Sequence, residues 1–477
     1  MNEAILQPLI FILAFAGMVI IHEFGHFIVA RLCGIEVEEF GIGLPTPGAI
    51  TFWISKGFLL LKRGKRVEIP QNFRLPVAWN TLVDHDAKIT VDSVKDRLVM
   101  RTIEFVKLVE NKQIPNSPLK ADHIYVDQNG VVVQPENAEQ SVSQEIIRVG
   151  KKNGEVELAD TVTKVYPGTR FTLNWLPLGG FVRPKGENDP NVEGGLAAAS
   201  PWKRLAVLFA GPLMNLITAV IVYSFIVAQI GAYDVDKVLI DSVTPDSPAA
   251  QAGLQKGDIF ISGNGQAIQG FEELSALVGS NRDKPIDFLV DRNGQQVALV
   301  ATPRMDGQGR TLIGVGLSAP HLSTGSFVET LQWGATYTYK NIHALISLPA
   351  RLIRGSLPAE QSRLVGLKGI YDIMGQSIEQ GIQASETAPT SQPFYWYIPV
   401  LEIIATLSIS LGVFNLFPFP ALDGGRIIFV IPEILFHRRV PAQFENLVHG
   451  VGMTLLLLLM LYVNIMDFVN PITNSLP

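Results

Sequence analysis

The sequence predicts a polytopic α-helical membrane protein with four transmembrane helices and two polar, β-patterned regions between them. Three observations carry that prediction. The chain has 477 residues, of which 47% are hydrophobic, and its mean hydropathy of +0.26 is too high for an ordinary soluble enzyme. Its apolar residues gather in runs long enough to cross a bilayer. Between those runs lie long stretches rich in turn signals and short apolar segments.

The first run extends from Ile5 to about Leu32, which assigns residues 1–32 to the first span. A secretory signal peptide is the competing reading. Met1-Asn2-Glu3 is no basic leader, however, and His22, Glu23 and His26 stand where small residues would mark a cleavage site. Leu205 to Ile230, within 203–231, forms the second span. Tyr397 to about Phe419, within 396–425, forms the third; it is interrupted by Glu402 and ends in prolines. His449 to Phe468, within 446–468, forms the fourth. Arg31, Lys62, Arg63, Lys65, Arg66, Lys203, Arg204, Arg426, Arg438 and Arg439 all fall on one side of these spans. The positive-inside rule then puts both termini outside, and residues 33–204 and 424–445 in the cytoplasm.

His22-Glu23-Phe24-Gly25-His26 closes the first span. Residues four apart share a helix face, so both imidazoles can aim at one ion, with Glu23 beside them as general base for a metal-bound water. This is the HExxH spacing of zinc hydrolases. The bland alternative, two histidines hydrogen-bonded at a helix end, leaves three costly ionisable groups in a span for no purpose. The third run closes in Asn415-Leu-Phe-Pro418-Phe-Pro420-Ala-Leu422-Asp423-Gly424-Gly425-Arg426. Prolines break the helix there, which a membrane tolerates only inside protein or beside a cavity. Asp423 falls at the same membrane face as the histidines. It either supplies a third ligand, leaving a fourth position for water, or caps the helix that begins near Gly424.

These two motifs, in this order and topology, resemble those of the site-2 protease family of membrane zinc metalloproteases (peptidase family M50), in particular its RseP-like bacterial members. That family pairs HExxH in its first span with N-x-x-P-x-P-x-x-D-G in a later one, matched here by His22 to His26 and Asn415 to Gly424. Phe40-Gly41-Ile42-Gly43 and Trp175-Leu-Pro177-Leu-Gly179-Gly180-Phe181-Val182 resemble the two ends of its membrane-associated β-loop, assigned to 33–48 and 168–202. Ala210-Gly211-Pro212-Leu-Met-Asn215 resembles its second-span signature. The resemblance implies one Zn2+ per chain held by His22, His26 and Asp423, with Glu23 as the base. It also implies that Asn415 helps hold the substrate backbone and that Phe171, Thr172, Leu173 and Asn174 pair with unwound substrate. A transmembrane helix hides its peptide bonds in its own hydrogen bonds, so the substrate must unwind, and strand addition re-satisfies it. The implied activity is intramembrane proteolysis in a bacterial inner membrane. Its substrates would be single-span proteins such as anti-sigma factors or remnant signal peptides, first trimmed by an upstream site-1 protease.

Residues 232–305 have soluble composition, and Val243 to Ile259, with Pro248, Gly253-Leu254 and Gly257-Asp258, resembles one external PDZ domain of the bacterial protease type. Asp291-Arg-Asn293-Gly294 reads as a hairpin turn. Such a domain either captures a peptide carboxylate on loop amides around Gly253 and Leu254, or excludes bulky substrates by size. Over 325–390, the periodicity of Leu331, Trp333, Tyr337, Ile346, Leu348, Leu352 and Ile353 predicts amphipathic helices at the membrane surface. Gly366-Leu-Lys-Gly369 stands where family members often carry Gly-Pro-Val-Gly.

Residues 49–167 depart from the family's short β-loop and read as a folded, cytosolic, β-rich insert that gates or docks substrate. Two hairpins are expected, across Asn129-Gly130 and across Asn153-Gly154. Phe52 to Leu61, followed by Lys62-Arg63-Gly-Lys65-Arg66, is expected at the lipid surface. His85, His123 and Asp84 lack ligand spacing and read as solvated. Cys33 is the only cysteine, which excludes an internal disulfide, and it reads as a small apolar residue rather than a ligand or nucleophile. A net charge of −6 without a basic, aromatic-interleaved stripe argues against nucleic acid. Two other classes compete: a zinc-stabilised scaffold presenting the PDZ domain, which needs a fourth protein ligand, and a metal transporter, which needs a line of intramembrane carboxylates beyond Glu402.

Overall fold

The computed structural model describes residues 3–75, 79–94, 97–109, 143–150, 156–306, 309–354, 363–387 and 395–471. Among them, four helices are long and apolar enough to cross a membrane: Ile5–Leu32, Pro201–Ile230, Ile398–Leu416 and Ala442–Val469. The chain divides into two compact units. Residues 1–217, 345–387 and 407–477 make the first, and 218–344 and 388–406 the second.

In the first unit, α1 (Glu3–Leu32) runs into β1 (Val37–Leu44) and β2 (Ile50–Ile54). The chain then builds β3 (Gly57–Leu61), β4 (Arg66–Ile69), β5 (Asp86–Val94), β6 (Arg97–Val109), β7 (Ser143–Gly150) and β8 (Val156–Tyr166). It returns through β9 (Arg170–Leu173) and β10 (Leu176–Pro184) to α2 (Pro201–Ile230). One sheet has the order β10-β1-β9-β2. The boundary expected at residue 49 therefore moves, because Ile50–Ile54 belongs to this loop sheet and the insert proper begins at β3.

The second sheet has the order β4-β3-β8-β5-β6-β7, and β4 pairs again with β6. Five strands thus close into a small barrel with β7 added at β6, and closure removes exposed edges. Alternating burial along β3, β4 and β5 sends Leu59, Leu61, Val67, Ile69, Ile89 and Val91 inward. Each such side chain contributes roughly 1.5–3 kcal/mol by leaving water. This corrects two expectations. Phe52 and Leu61 share no lipid-facing strip, since Phe52 lies in the loop sheet while Leu59 and Leu61 fill the barrel. Nor do β7 and β8 form a hairpin: β7 pairs with β6, and β8 lies between β3 and β5. Asn153-Gly154 itself lies outside the described residues, and β8 continues to Tyr166, paired with β5 along its first half and with β3 along its second. The hairpin expected across Asn129-Gly130 lies outside the described residues, as does His123. The Tyr166 hydroxyl joins barrel, loop sheet and helix: it lies 2.6 Å from Arg31 Nη1, 3.1 Å from the Val37 carbonyl and 2.9 Å from Thr169 Oγ1.

The second unit carries β11 (Ala232–Tyr233), β12 (Val238–Val243), α3 (Pro248–Ala252), β13 (Ile259–Gly263), β14 (Gln266–Ala267), α4 (Phe271–Ser280), β15 (Ile286–Arg292), β16 (Gln295–Ala301), β17 (Arg304–Met305), β18 (Thr311–Leu312), β19 (Val315–Ser318) and β20 (His321–Leu322). Its main sheet runs β16-β15-β13-β12-β19, so the module extends past the boundary expected at 305. β15 and β16 form the expected hairpin, with Asn293 and Gly294 at φ 53° and 84°, the pair of positive angles that a two-residue hairpin turn needs. Val238, Ile240, Phe260, Ile286, Phe288 and Val290 fill the core. Fully buried Asp258 accepts two hydrogen bonds of 2.7 Å from Arg292 and one of 2.9 Å from the Gln255 amide. Burial pushes this carboxyl up, but the Arg292 and Gln255 hydrogen bonds and the guanidinium charge outweigh it and hold the group below the ordinary carboxylate range.

The remaining helices are α5 (Phe327–Ile353), α6 (Leu367–Thr387), α7 (Ile398–Leu416), α8 (Asp423–Phe436) and α9 (Ala442–Val469). Asp467, fully buried near the end of α9, accepts from the amides of Gly366 at 2.8 Å and Gly369 at 3.0 Å and from Arg363 at 2.9 Å. It caps α6 from another helix. A Cβ at Gly366 or Gly369 would stand 2.9 Å from that carboxylate, so glycine permits the approach and the turn works without proline.

Two outcomes follow. Asp467→Ala strands two buried amides and an arginine and should cost about 2 kcal/mol or more; a thermal midpoint equal to wild type would refute the cap. Asp258 titrates in the native state below its unfolded value of about 3.9, so its contribution is complete above that pH and is lost as pH falls through the native pKa. Amide exchange in β13 and β15 should therefore accelerate below about pH 4, and Asp258→Asn should flatten that dependence.

Candidate metal centre

The i, i+4 spacing on α1 puts His22 and His26 on one face, both buried. Their Nε2 atoms lie 3.2 Å apart, and Asp423 Oδ2 lies 3.2 Å from the first and 3.3 Å from the second. Asp423 is the first residue of α8, yet the N-cap position is Leu422 and carries no side-chain cap. The carboxylate turns toward the histidines rather than capping the helix. The break after α7 makes this reach possible. Pro418 and Pro420 interrupt the helix, Ala421 takes φ 80°, and the Ala421 amide donates to His449 Nδ1 at 2.9 Å. A Cβ at Gly424 would collide with the carbonyls of Leu416 and Phe417, so the chain folds back tightly only with glycine there.

The donor set fits a metal ion. Asp423 Oδ2 is buried and, although close to both rings, makes no well-formed hydrogen bond. Two nitrogens and one oxygen of these types suit zinc and leave a coordination position open. His26 Nδ1 lies 2.7 Å from the Val207 carbonyl, which must accept its proton and so turns the Nε2 lone pair to the centre. On the His22 side, Asn215 is fully buried, with Nδ2 3.1 Å from His22 Nδ1 and Oδ1 without a partner. A half-turn of the amide puts Oδ1 on a protonated Nδ1, satisfying both groups and freeing the His22 Nε2 lone pair. The Ser408 hydroxyl donates to the Asn215 carbonyl at 2.9 Å. Gly211, four residues before Asn215, lets α2 approach, since a Cβ there would strike the His26 ring. Beside the cluster, the Val182 amide donates to Glu23 Oε2 at 3.0 Å.

Other expected site residues fall elsewhere. Asn415 stands half-buried in the last turn of α7. Phe171, Thr172 and Leu173 lie in β9, whose two edges are filled by β1 and β2, and the Asn174 amide donates to the Ile42 carbonyl at 2.9 Å. Both edges there are paired; the outer strands of this sheet are β2 and β10, the latter lying against α1. The Gly253 and Leu254 amides donate to Ala250 and Ala249 and close α3, so neither can take a peptide carboxylate. Sequence reasoning did not give Asn215, Val207 or Val182 a part in the site. The Gly211–Asn215 spacing matches that of His22–His26 and was the available signal. Arg204, which bonds Glu433 at 2.6 Å, and Arg426, paired with Glu187, hold α8 in place.

Asn215→Leu should weaken zinc retention against a chelator by about 10–100-fold, while Asn215→Asp, which still accepts from Nδ1, should retain it far better. Equal retention by wild type and Asn215→Leu would remove Asn215 from the centre.

The family model for peptidase family M50 matches residues 10–57 and 158–459. The zinc metalloprotease RasP of Geobacillus kaustophilus is 28% identical over 468 residues, spanning 97% of this chain and 98% of that protein. The regulator of sigma-W protease RasP of Bacillus subtilis is 26% identical over 461 residues, with 95% and 96% covered. The metalloprotease MmpA of Caulobacter vibrioides is 29% identical over 335 residues, 62% of this chain and 81% of its own. The RasP relatives span nearly the whole chain, so the barrel insert has a counterpart in them. With more than half of its residues matched by the family model, the chain belongs to peptidase family M50 and is a membrane zinc metalloprotease of the site-2 type.

Proposed function

We propose that this protein is an intramembrane endopeptidase that holds one Zn2+ on His22, His26 and Asp423 and cuts single-span membrane proteins in or near their transmembrane segment. The observation that carries this is the convergence of three ligand atoms beside Glu23 at the end of a membrane span. The chemistry zinc supplies when held there is Lewis acidity toward water and the scissile carbonyl. Glu23 takes the proton of the attacking water and delivers it to the leaving amine. Val182 holds one carboxylate oxygen, leaving the other to carry the proton. With three protein ligands among the described residues, the cluster favours catalysis over a structural scaffold.

The substrate backbone is held by β10 rather than β9. β10 has one edge on β1, and its other edge presents the Val182 amide toward Glu23 and, by strand alternation, also Gly180. An unwound segment added there runs past the base, with Asn415 contributing at the broken end of α7. In the second unit, β19 is one outer strand of the main sheet, β16 being the other, and β18, which precedes β19 in the chain, packs against α4. The β19 edge is the candidate groove if the PDZ-type module binds peptide rather than filtering by size. The cationic residues at the ends of the spans support an inner-membrane orientation with the insert cytoplasmic and the termini and module outside. The name of the Bacillus subtilis relative, a regulator of sigma-W protease, supports a membrane-bound regulator of a sigma factor as the substrate class; prior trimming by an upstream protease is part of the same reading and has no support in that name.

Purified wild type and Glu23→Gln should contain equal zinc, and only wild type should cleave a model transmembrane substrate, with a loss of at least about 100-fold in the variant. Cleavage by both would remove Glu23 from the chemistry.

A further inference from the structure

A cleft of about 980 Å³ opens between the end of α1 and the barrel, lined by Arg31, Lys56, Lys65, Arg66, Arg97 and Lys164 against the carboxylates of Glu36 and Glu68. Three of the cations face carboxylates, two of them sharing one. Lys164 pairs with Glu36 at 3.2 Å and Lys56 with Glu68 at 2.5 Å, with Arg97 3.9 Å from Glu68. Arg31, Lys65 and Arg66 have no carboxylate partner among the described residues. Instead, Arg31 bonds the Tyr166 hydroxyl at 2.6 Å and lies 5.3 Å from that ring's centroid, and Arg66 stacks 4.2 Å above Phe58. Aromatic stacking fixes a guanidinium in position while leaving N–H donors free for an anion. The position of the cleft identifies the anion. Arg31 is in the last turn of the Ile5–Leu32 span, and its neighbour Leu32 is 80% exposed, so the mouth opens where the helix leaves the bilayer. Trp202, 66% exposed in the first turn of α2, is an aromatic residue of the interfacial kind at the neighbouring span end.

We propose that this cleft binds the phosphate headgroup of an anionic phospholipid, which seats the barrel against the membrane surface. Two fixed guanidiniums and a mobile ammonium suit a phosphodiester: arginine supplies forked donors and lysine a point charge. The apolar surface expected for residues 52–61 is thus replaced as the membrane contact by a charged cleft made from the same stretch and its hairpin partner. None of these side chains belongs to the metal cluster, so the inference stands whether or not the catalytic reading does.

The test uses the full chain in nanodiscs of phosphatidylcholine with or without phosphatidylglycerol, reading lipid retained through delipidation by native mass spectrometry. Wild type should retain phosphatidylglycerol in preference to phosphatidylcholine. The double variant Lys65→Gln/Arg66→Gln should lose at least about tenfold of that preference. Lys62→Gln/Arg63→Gln, in the same hairpin but outside the cleft, should keep it. Equal retention by the Lys65/Arg66 variant and wild type overturns the proposal, as does loss of equal size in the Lys62/Arg63 control. Millimolar inorganic phosphate displacing no lipid supports the lipid assignment. Phosphate binding that depends on Lys65 and Arg66 without any phosphatidylglycerol preference overturns it in favour of a soluble phosphate. Binding of an acidic peptide in place of lipid overturns it likewise.

Discussion

Three electron-rich atoms, Nε2 of His22, Nε2 of His26 and Oδ2 of Asp423, are held 3.2–3.3 Å from one another in a buried space. Uncompensated, their lone pairs repel, and burial denies them water. Either protons or a cation must lie among them, and much of the neighbouring structure serves to keep them together regardless. Val207 and Asn215 fix the far sides of the two rings, Gly211 removes the Cβ that would displace one of them, and Arg204 and Arg426 anchor the helix that carries Asp423. Breaking the Arg204–Glu433 pair would leave the buried Arg204 charge unmatched, so the anchor holds more by what its loss would cost than by its net attraction.

The same economy governs backbone. Bringing Asp423 to α1 requires an interrupted helix at membrane depth, and every freed amide there needs a partner. His449 takes the Ala421 amide from a neighbouring helix, much as Asp467 takes those of Gly366 and Gly369. In both places α9 supplies the acceptor. A helix that looks like a plain apolar span thus carries two polar residues that satisfy irregular backbone elsewhere, which explains their presence in so apolar a segment.

What could be read from the sequence was what local spacing encodes. Four-residue separation on α1, proline breaks before Asp423, and the hairpin at Asn293-Gly294 each rest on one short stretch of chain. Pairing between distant strands does not. The Asn153-Gly154 signal, itself outside the described residues, could not say that β8 would sit between β3 and β5, and the motif at Phe171 lay in the right sheet but on an interior strand. Gly253 and Leu254 are a different kind of miss. Ser247 as N-cap, Pro248 at the first turn and Gly253 in the left-handed region spell a short helix with its stop, and amides that close a helix are not free to bind. The Gly211–Asn215 spacing was visible in the sequence, but the part of Asn215 beside His22 follows only from the α1–α2 packing.

The barrel shows why an insertion this large leaves the catalytic sheet intact. β2 and β9 are antiparallel neighbours, with Ile54 opposite Arg170, and the barrel opens and closes with Phe58 opposite Tyr166. The two crossing segments stay paired, Ser55 accepting and donating with Thr169 at 2.8 and 2.9 Å. Gly168, at φ 92°, comes against the Ser55 carbonyl, where a Cβ would not fit. The barrel therefore occupies the place of a hairpin turn, and its closed strands offer the loop sheet no competing edge. Such a neck lets a domain be present or absent without altering the register of the strands it joins. That agrees with a family model that matches residues 10–57 and resumes at 158. It also means that a force on the barrel passes through a paired ribbon into β9 and β1, and so to β10 and the amide that holds Glu23.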